Sequence, residues 1–209
     1  MDLQFYGANC VSVSYKGTRL MVDDNLEQLG AKKVTKPEDV ALCTMHPKGP
    51  VAGRLVFDGP GEYEVSDISI IGIPARAHME ADEKNRDATM YKLVIGENSV
   101  LITGHIYPQL DDAQLEAIGM IDVMFVPVGG NGYTVDPVGA IKLIKAIEPK
   151  LVIPTHYDDN ALKYPVPQQE LSVALKEIGM EPKETISGKF KFKPTELTDV
   201  TQLVVLEKS

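Results

Sequence analysis

Apolar and polar residues alternate through the first third of the chain. Leu3-Gln4-Phe5-Tyr6, Val11-Ser12-Val13-Ser14-Tyr15 and Arg19-Leu20-Met21-Val22 alternate or run apolar, broken by Gly7 and by Lys16-Gly17. A period of two predicts strands with one buried face, and glycine-containing breaks mark the turns between them. Val40-Ala41-Leu42-Cys43 predicts a fully buried strand. It stops at Thr44-Met45-His46-Pro47-Lys48-Gly49-Pro50, where two prolines and a glycine forbid regular structure. Arg54 to Phe57, Glu62 to Val65, Ile68 to Ile73, Met90 to Ile95 and Val100 to Ile102 continue the series of strands.

Past Asp111 the pattern changes to helix alternating with strand. Asp111 caps a helix with Gln114 reaching back, and Gly119 ends it. Asp122 to Val126 is a buried strand. Asp136 caps a second helix with Pro137 at its first position, and Pro149 stops it. Leu151-Val152-Ile153 is the next strand, Pro167 to Ile178 a third helix, and Gln202 to Leu206 the last strand. Gly188-Lys189-Phe190-Lys191-Phe192-Lys193 reads as an edge strand, Phe inward and Lys outward, guarded by charge against unwanted pairing. Strands first and βα units afterwards predict an α/β protein of two sheets flanked by helices, one domain over residues 1–209.

Composition narrows the function classes. The chain of 209 residues is 44% hydrophobic, enough for a real core. Its net charge of −9 argues against a nucleic-acid partner, since phosphate binding wants a basic face. No apolar run approaches the roughly 20 residues that span a bilayer, so no membrane partner is expected. The start lacks the basic and apolar regions of a signal peptide. Cys10 and Cys43 sit in apolar contexts without CxxC spacing, as buried thiols of a reducing compartment do; the expected location is cytoplasmic.

The candidate chemistry lies in four histidines. His46, His78, His105 and His156 each follow an apolar strand. One such histidine is an ordinary loop residue. Four at strand exits suggest convergence, because imidazoles from separate loops are how distant segments assemble a site. Tyr107, Tyr133 and Tyr157 neighbour the same exits and could orient a small polar ligand, though each alone reads as packing. Gly129-Gly130-Asn131-Gly132-Tyr133 is either a loop that lets backbone approach a ligand or a plain turn before Asp136. Asp158 and Asp159 could serve as a base beside His156, or simply be solvated, and Asp23 and Asp24 carry the same two readings.

Six segments resemble the metallo-β-lactamase superfamily, in particular its L-ascorbate-6-phosphate lactonase-like branch. They are Phe5-Tyr6-Gly7, Leu20-Met21-Val22-Asp23, Asp58 to Val65, Gly72-Ile73-Pro74-Ala75-Arg76, Pro127 to Gly130 with Tyr133-Thr134, and Val152 to Tyr157. The resemblance implies an αβ/βα four-layer sandwich with a site along one edge between the sheets. It also implies a zinc-dependent hydrolase, but the ligands depart from the pattern. Where the family reads His-x-His-x-Asp-His after a threonine, Met45, Pro47, Gly49 and Pro50 stand at the four ligand positions after Thr44, and His46 falls on a spacer. The family's bridging Asp is replaced by His105, and its near-N-terminal Gly-His is Gly7-Ala8. His156, and more loosely His78, stand where the family has ligands.

A neutral imidazole has one lone pair for a metal and cannot bridge two, so no dinuclear centre is expected. Two expectations follow. One is a pocket of His78, His105, Tyr133 and His156 that binds a small polar molecule without a metal. The other is a mono-zinc hydrolase of a lactone or phosphoester, its single zinc held by His105, His156 and either His46 or His78. Homo-oligomerisation is compatible with either.

Overall fold

The computed structural model describes residues 1–78 and 87–209. Among them, the first sheet has six strands, in the order β13-β1-β2-β3-β4-β5. These are β1 (Asp2–Gly7), β2 (Cys10–Tyr15), β3 (Thr18–Val22), β4 (Val40–Leu42), β5 (Leu55–Phe57) and β13 (Phe190–Lys191). The second has eight, in the order β12-β14-β11-β10-β9-β8-β7-β6. They are β6 (Gly61–Val65), β7 (Ile68–Arg76), β8 (Asp87–Ile95), β9 (Asn98–Ile102), β10 (Val123–Pro127), β11 (Leu151–Thr155), β12 (Glu184–Ile186) and β14 (Gln202–Leu206).

Period-two alternation builds the layers. From β1, β2 and β3, Leu3, Phe5, Val11, Val13, Leu20 and Val22 enter the main core between the sheets. Tyr6, Cys10 and Met21, one position out of phase, face the opposite side. There they meet Leu26 and Leu29 of a 3-10 turn (Leu26–Leu29) and Leu162, a second and smaller core. Burying a side chain the size of Phe5 contributes on the order of 1.5–3 kcal/mol.

The helices are α1 (Asp112–Ile118), α2 (Pro137–Ile147) and α3 (Leu171–Ile178). They contribute Ile118, Ala140, Leu143, Ile144, Ala174 and Ile178 to the main core. The caps are those the sequence predicts. The Asp111 carboxylate accepts from the Gln114 N–H (2.8 Å) while the Gln114 side chain accepts from the Asp111 N–H (3.0 Å), and Asp136 accepts from the Gly139 N–H (2.6 Å). Phe190 and Phe192 are buried between exposed lysines on the β13 edge, as expected.

One boundary is corrected. The third helix begins at Leu171, not Pro167. Residues 167–170 form instead an extended strap, whose Gln169 N–H donates to the Gly129 carbonyl (2.8 Å) and whose Gln169 carbonyl accepts from the Asp158 N–H (2.8 Å). Those tertiary bonds use backbone groups that a helix would need for itself.

Candidate functional site

Strands β9, β10 and β11 run parallel, so the loops leaving them open on one edge of the second sheet. The first sheet meets that edge at three points. The His156 N–H donates to the Ala8 carbonyl (2.8 Å), and the Thr155 hydroxyl donates to Asn9 Oδ1 (3.0 Å), tying the exit of β11 to the β1–β2 turn. The Thr89 N–H donates to the Thr44 carbonyl (2.8 Å), joining β8 to the exit of β4. Gly104 lies so close to Thr44 that a Cβ there would collide with the threonine side chain. Thr44 is itself held by Asp23, whose carboxylate accepts from the Thr44 N–H (2.7 Å) and hydroxyl (2.6 Å). Burial pushes the Asp23 carboxyl up to about 6, against the pull of those two bonds.

The His105 and His156 rings meet edge to face, with centroids 4.7 Å apart. Tyr133 stands 5.6 Å from each of them. Tyr164 packs on the far side of His156 at 5.0 Å. His156 is 1% exposed, and burial lowers its pKa to about 4, opposed by its hydrogen bond with Gln168. Burial also holds His105 well below its ordinary value, and the neighbouring His156 and His78 add to the effect. Both imidazoles are neutral at pH 7.

The tautomer of His156 follows from its partner. Gln168 Nε2 donates to the Val166 carbonyl (2.8 Å), so the amide oxygen is the atom that faces His156 Nδ1 (3.1 Å). Nδ1 therefore carries the proton and Nε2 keeps its lone pair. His156 also adopts a left-handed backbone (φ 54°), unusual for a non-glycine residue and a form of strain that collects at functional positions.

His78 joins through its backbone, its N–H donating to the His105 carbonyl (2.7 Å). Among the described residues its Nδ1 is buried without a hydrogen-bond partner, and burial lowers its pKa, with Asp136 and the Ile106 backbone pulling the other way. His46 lies apart from this group of rings. Its side chain is 64% exposed, with Nδ1 3.8 Å from Asp58 Oδ2, and it lines a cavity of about 300 Å³ with Thr44, Asp58, Pro74 and Thr89.

The remaining candidates have structural work. Asp158 and Asp159 accept from the Asn160 and Ala161 N–H groups two residues on, and Asp159 pairs with Lys208 (3.2 Å). Asp24 accepts from the Val34 and Thr35 N–H groups and the Thr35 hydroxyl. The Tyr157 ring packs on Phe5 at 5.5 Å. Tyr107 lies under the Arg76 guanidinium at 4.5 Å. Cys10 and Cys43 are buried thiols, the latter pushed up to about 12 by burial. Gln168 and Tyr164 are the contributors that sequence reading missed. Tyr164, an aromatic in the loop after β11, carried a usable signal; Gln168 carried none.

The donors do not fit a two-metal centre. Met45, Pro47, Gly49 and Pro50 offer no oxygen or nitrogen side-chain ligand, His105 cannot bridge, and Asp23 is committed to Thr44. Among the described residues, no three His, Cys, Asp or Glu side chains converge to hold a metal ion.

Two sheets in these strand orders, with three helices among the described residues, form a metallo-β-lactamase fold. Residues 2–156 match the beta-lactamase superfamily domain, and the chain belongs to that family. It is 34% identical over 68 residues to a UPF0173 metal-dependent hydrolase of Carboxydothermus hydrogenoformans, covering 32% of this chain and 30% of that protein. It is 32% identical over 120 residues to another of Thermococcus onnurineus, covering 52% of this chain and 53% of that protein. The alignments thus span a third to about half of these relatives. In fold, a Thermotoga maritima protein of the metallo-beta-lactamase superfamily, named for zinc-dependent hydrolysis, superposes with a TM-score of 0.72 at 23% identity, over 98% of this chain and 97% of its own. Igni18, a metallo hydrolase of Ignicoccus hospitalis, gives 0.62 at 18% identity, over 92% of this chain and 99% of its own. Among the described residues, no helix is long and apolar enough to cross a membrane.

Proposed function

We propose that this chain keeps the superfamily's site without its dinuclear machinery, and that it binds a small polar molecule through His78, His105, Tyr133 and His156. The observation that carries this reading is the ring contact of His105 with His156, both neutral, at the position where the family has a bridging carboxylate. His156 keeps its Nε2 lone pair as an acceptor, the neutral His105 ring has one donor and one acceptor nitrogen, and the Tyr133 hydroxyl adds a third directional group. Such a pocket suits a ligand rich in hydroxyl, carbonyl or phosphoryl oxygens. Elemental analysis of protein purified without chelator tests the loss of the metal pair. The expected content is below two ions per chain, and two stoichiometric ions retained through gel filtration would overturn the reading. NMR of the His105 and His156 rings during titration with lactones and sugar phosphates tests binding. No ring shift with any of them would count against the pocket.

A second reading rests on His78. A buried ring nitrogen without a partner costs on the order of 1–3 kcal/mol, and a cation beside it would remove that cost. His78, His105 and His156 do not converge on one point as they stand, so a single zinc would have to draw the three rings together; bound there, it would supply a Lewis acid and a water with a pKa of about 7. Under this reading His156→Ala abolishes zinc binding in isothermal titration, whereas His46→Ala leaves it nearly intact. Equal loss in the two variants would make His46 a ligand.

A further inference from the structure

The two sheets end in four edge strands: β13 and β5 in the first, β12 and β6 in the second. An exposed edge is a template for pairing, and proteins guard it with charge. Three of the four are guarded. Lys189, Lys191 and Lys193 flank β13, Glu184 opens β12, and Glu62 and Glu64 point outward from β6, all exposed. On β5 the exposed residues are Leu55 (41%) and Val56 (40%). The charges there lie only at its ends, Arg54 before it and Asp58 after it, both exposed.

We propose that β5 pairs antiparallel across a two-fold axis with β5 of a second copy of this chain, centred on Val56. A two-fold interface must be complementary to itself, and Arg54-Leu55-Val56-Phe57-Asp58 has that property. Read against its own reverse, Arg54 faces the partner's Asp58, Leu55 faces the partner's Phe57, and Val56 faces the partner's Val56. Neither charge has a strong partner of its own. Arg54 makes no ion pair among the described residues, and Asp58 has only His46, at 3.8 Å. Leu55 and Phe57 share a face of the strand, where Phe57 stacks on Tyr63 (centroids 4.2 Å). Pairing would lay Leu55 over the partner's aromatic pair and close the open end of the sandwich.

Backbone geometry permits a short ladder. The Arg54 N–H donates inward to the Asp39 carbonyl (2.8 Å), so by alternation the N–H and C=O of Leu55 point outward. The Phe57 carbonyl is turned inward, accepting from the Cys43 N–H (2.9 Å) and the Tyr91 hydroxyl (2.9 Å). With that carbonyl unavailable to the partner's Leu55 N–H, the outward ladder is limited to two bonds, each Phe57 N–H donating to the partner's Leu55 carbonyl. So small a contact gives a concentration-dependent dimer, not an obligate one.

Sedimentation velocity over a concentration series, from low micromolar to near-millimolar, tests the proposal on the full chain. The expected result is a monomer–dimer equilibrium that Val56→Lys shifts to monomer, with the circular dichroism spectrum unchanged. Arg54→Asp alone and Asp58→Arg alone should each weaken the dimer by about tenfold or more, because like charges then face each other. The double exchange should restore it. Mixing the two single variants should give heterodimer in preference to either homodimer. A chain that stays monomeric throughout, or a dimer indifferent to Val56→Lys and to charge reversal, would overturn the proposal.

Discussion

His156 has its chemistry set by a neighbour. Gln168 fixes its tautomer, and burial holds its pKa near 4. Gln168→Glu would replace a neutral acceptor by a carboxylate that favours the imidazolium. The His156 titration midpoint should then rise by about one unit or more, read from its ring NMR signals in chelator-treated protein. A midpoint that does not move would mean that Gln168 does not govern the ring. Gln168→Leu leaves a buried N–H without an acceptor and should cost on the order of 1–3 kcal/mol in chemical denaturation. His156 was legible in Pro154-Thr155-His156-Tyr157, which follows a buried strand and matches the superfamily. Gln168 was not, because a glutamine in Pro167-Gln168-Gln169-Glu170 has neither period nor motif. Its role exists only once the strap lies across the exit of β11.

At the scale of elements, the site depends on how closely the strand exits stack. Gly129, leaving β10, packs on the His156 carbonyl so tightly that a Cβ would overlap the oxygen. Gly129→Ala must therefore displace the backbone of His156 or of the strap. The expected cost is about 1–3 kcal/mol, with a changed His105–His156 contact seen as shifts of both ring signals. Wild-type stability and unchanged ring signals would show that the exits are looser than described. The strands were legible from alternation, and α1 and α2 from their caps, since those signals are local. The start of α3 was not. Residues 167–170 have sufficient local helix signal, but their backbone is claimed by Gly129 and Asp158. Nor was β12, whose Glu184-Thr185-Ile186 is too short and polar to stand out and is defined by its pairing with β14. The meeting of His105 with His156 could be inferred from their strand exits. That His46 lies apart, beside Asp58, depends on the course of a loop with no regular structure.

For the molecule as a whole, these buried groups set the response to acid. His156 has an ordinary pKa of 6.5 and a folded value of about 4. Between those values the unfolded chain binds the proton and the native one does not, so stability falls as pH drops through the window. The loss levels off near pH 4 at about 3 kcal/mol. His105 acts in the same direction, with its pKa held well below its ordinary value. Asp23 acts oppositely. Its carboxyl rises from 3.8 to about 6, so the native state holds a proton that the unfolded state releases, and acidification through that window adds stability. Its size is somewhat under about 3 kcal/mol, since the residue keeps some solvent contact. Asp23 and His156 therefore nearly offset each other between pH 6 and pH 4, and His105, together with His78 and the Arg19-paired Asp39, is left to drive acid destabilisation. Asp23→Asn removes the offset. Urea unfolding of chelator-treated protein at a series of pH values should show stability falling more steeply over that window in Asp23→Asn than in wild type, whatever the variant does at neutral pH. His105→Gln should flatten the wild-type curve. Parallel curves for wild type and Asp23→Asn would mean that Asp23 is ionised throughout, its two bonds from Thr44 outweighing its burial.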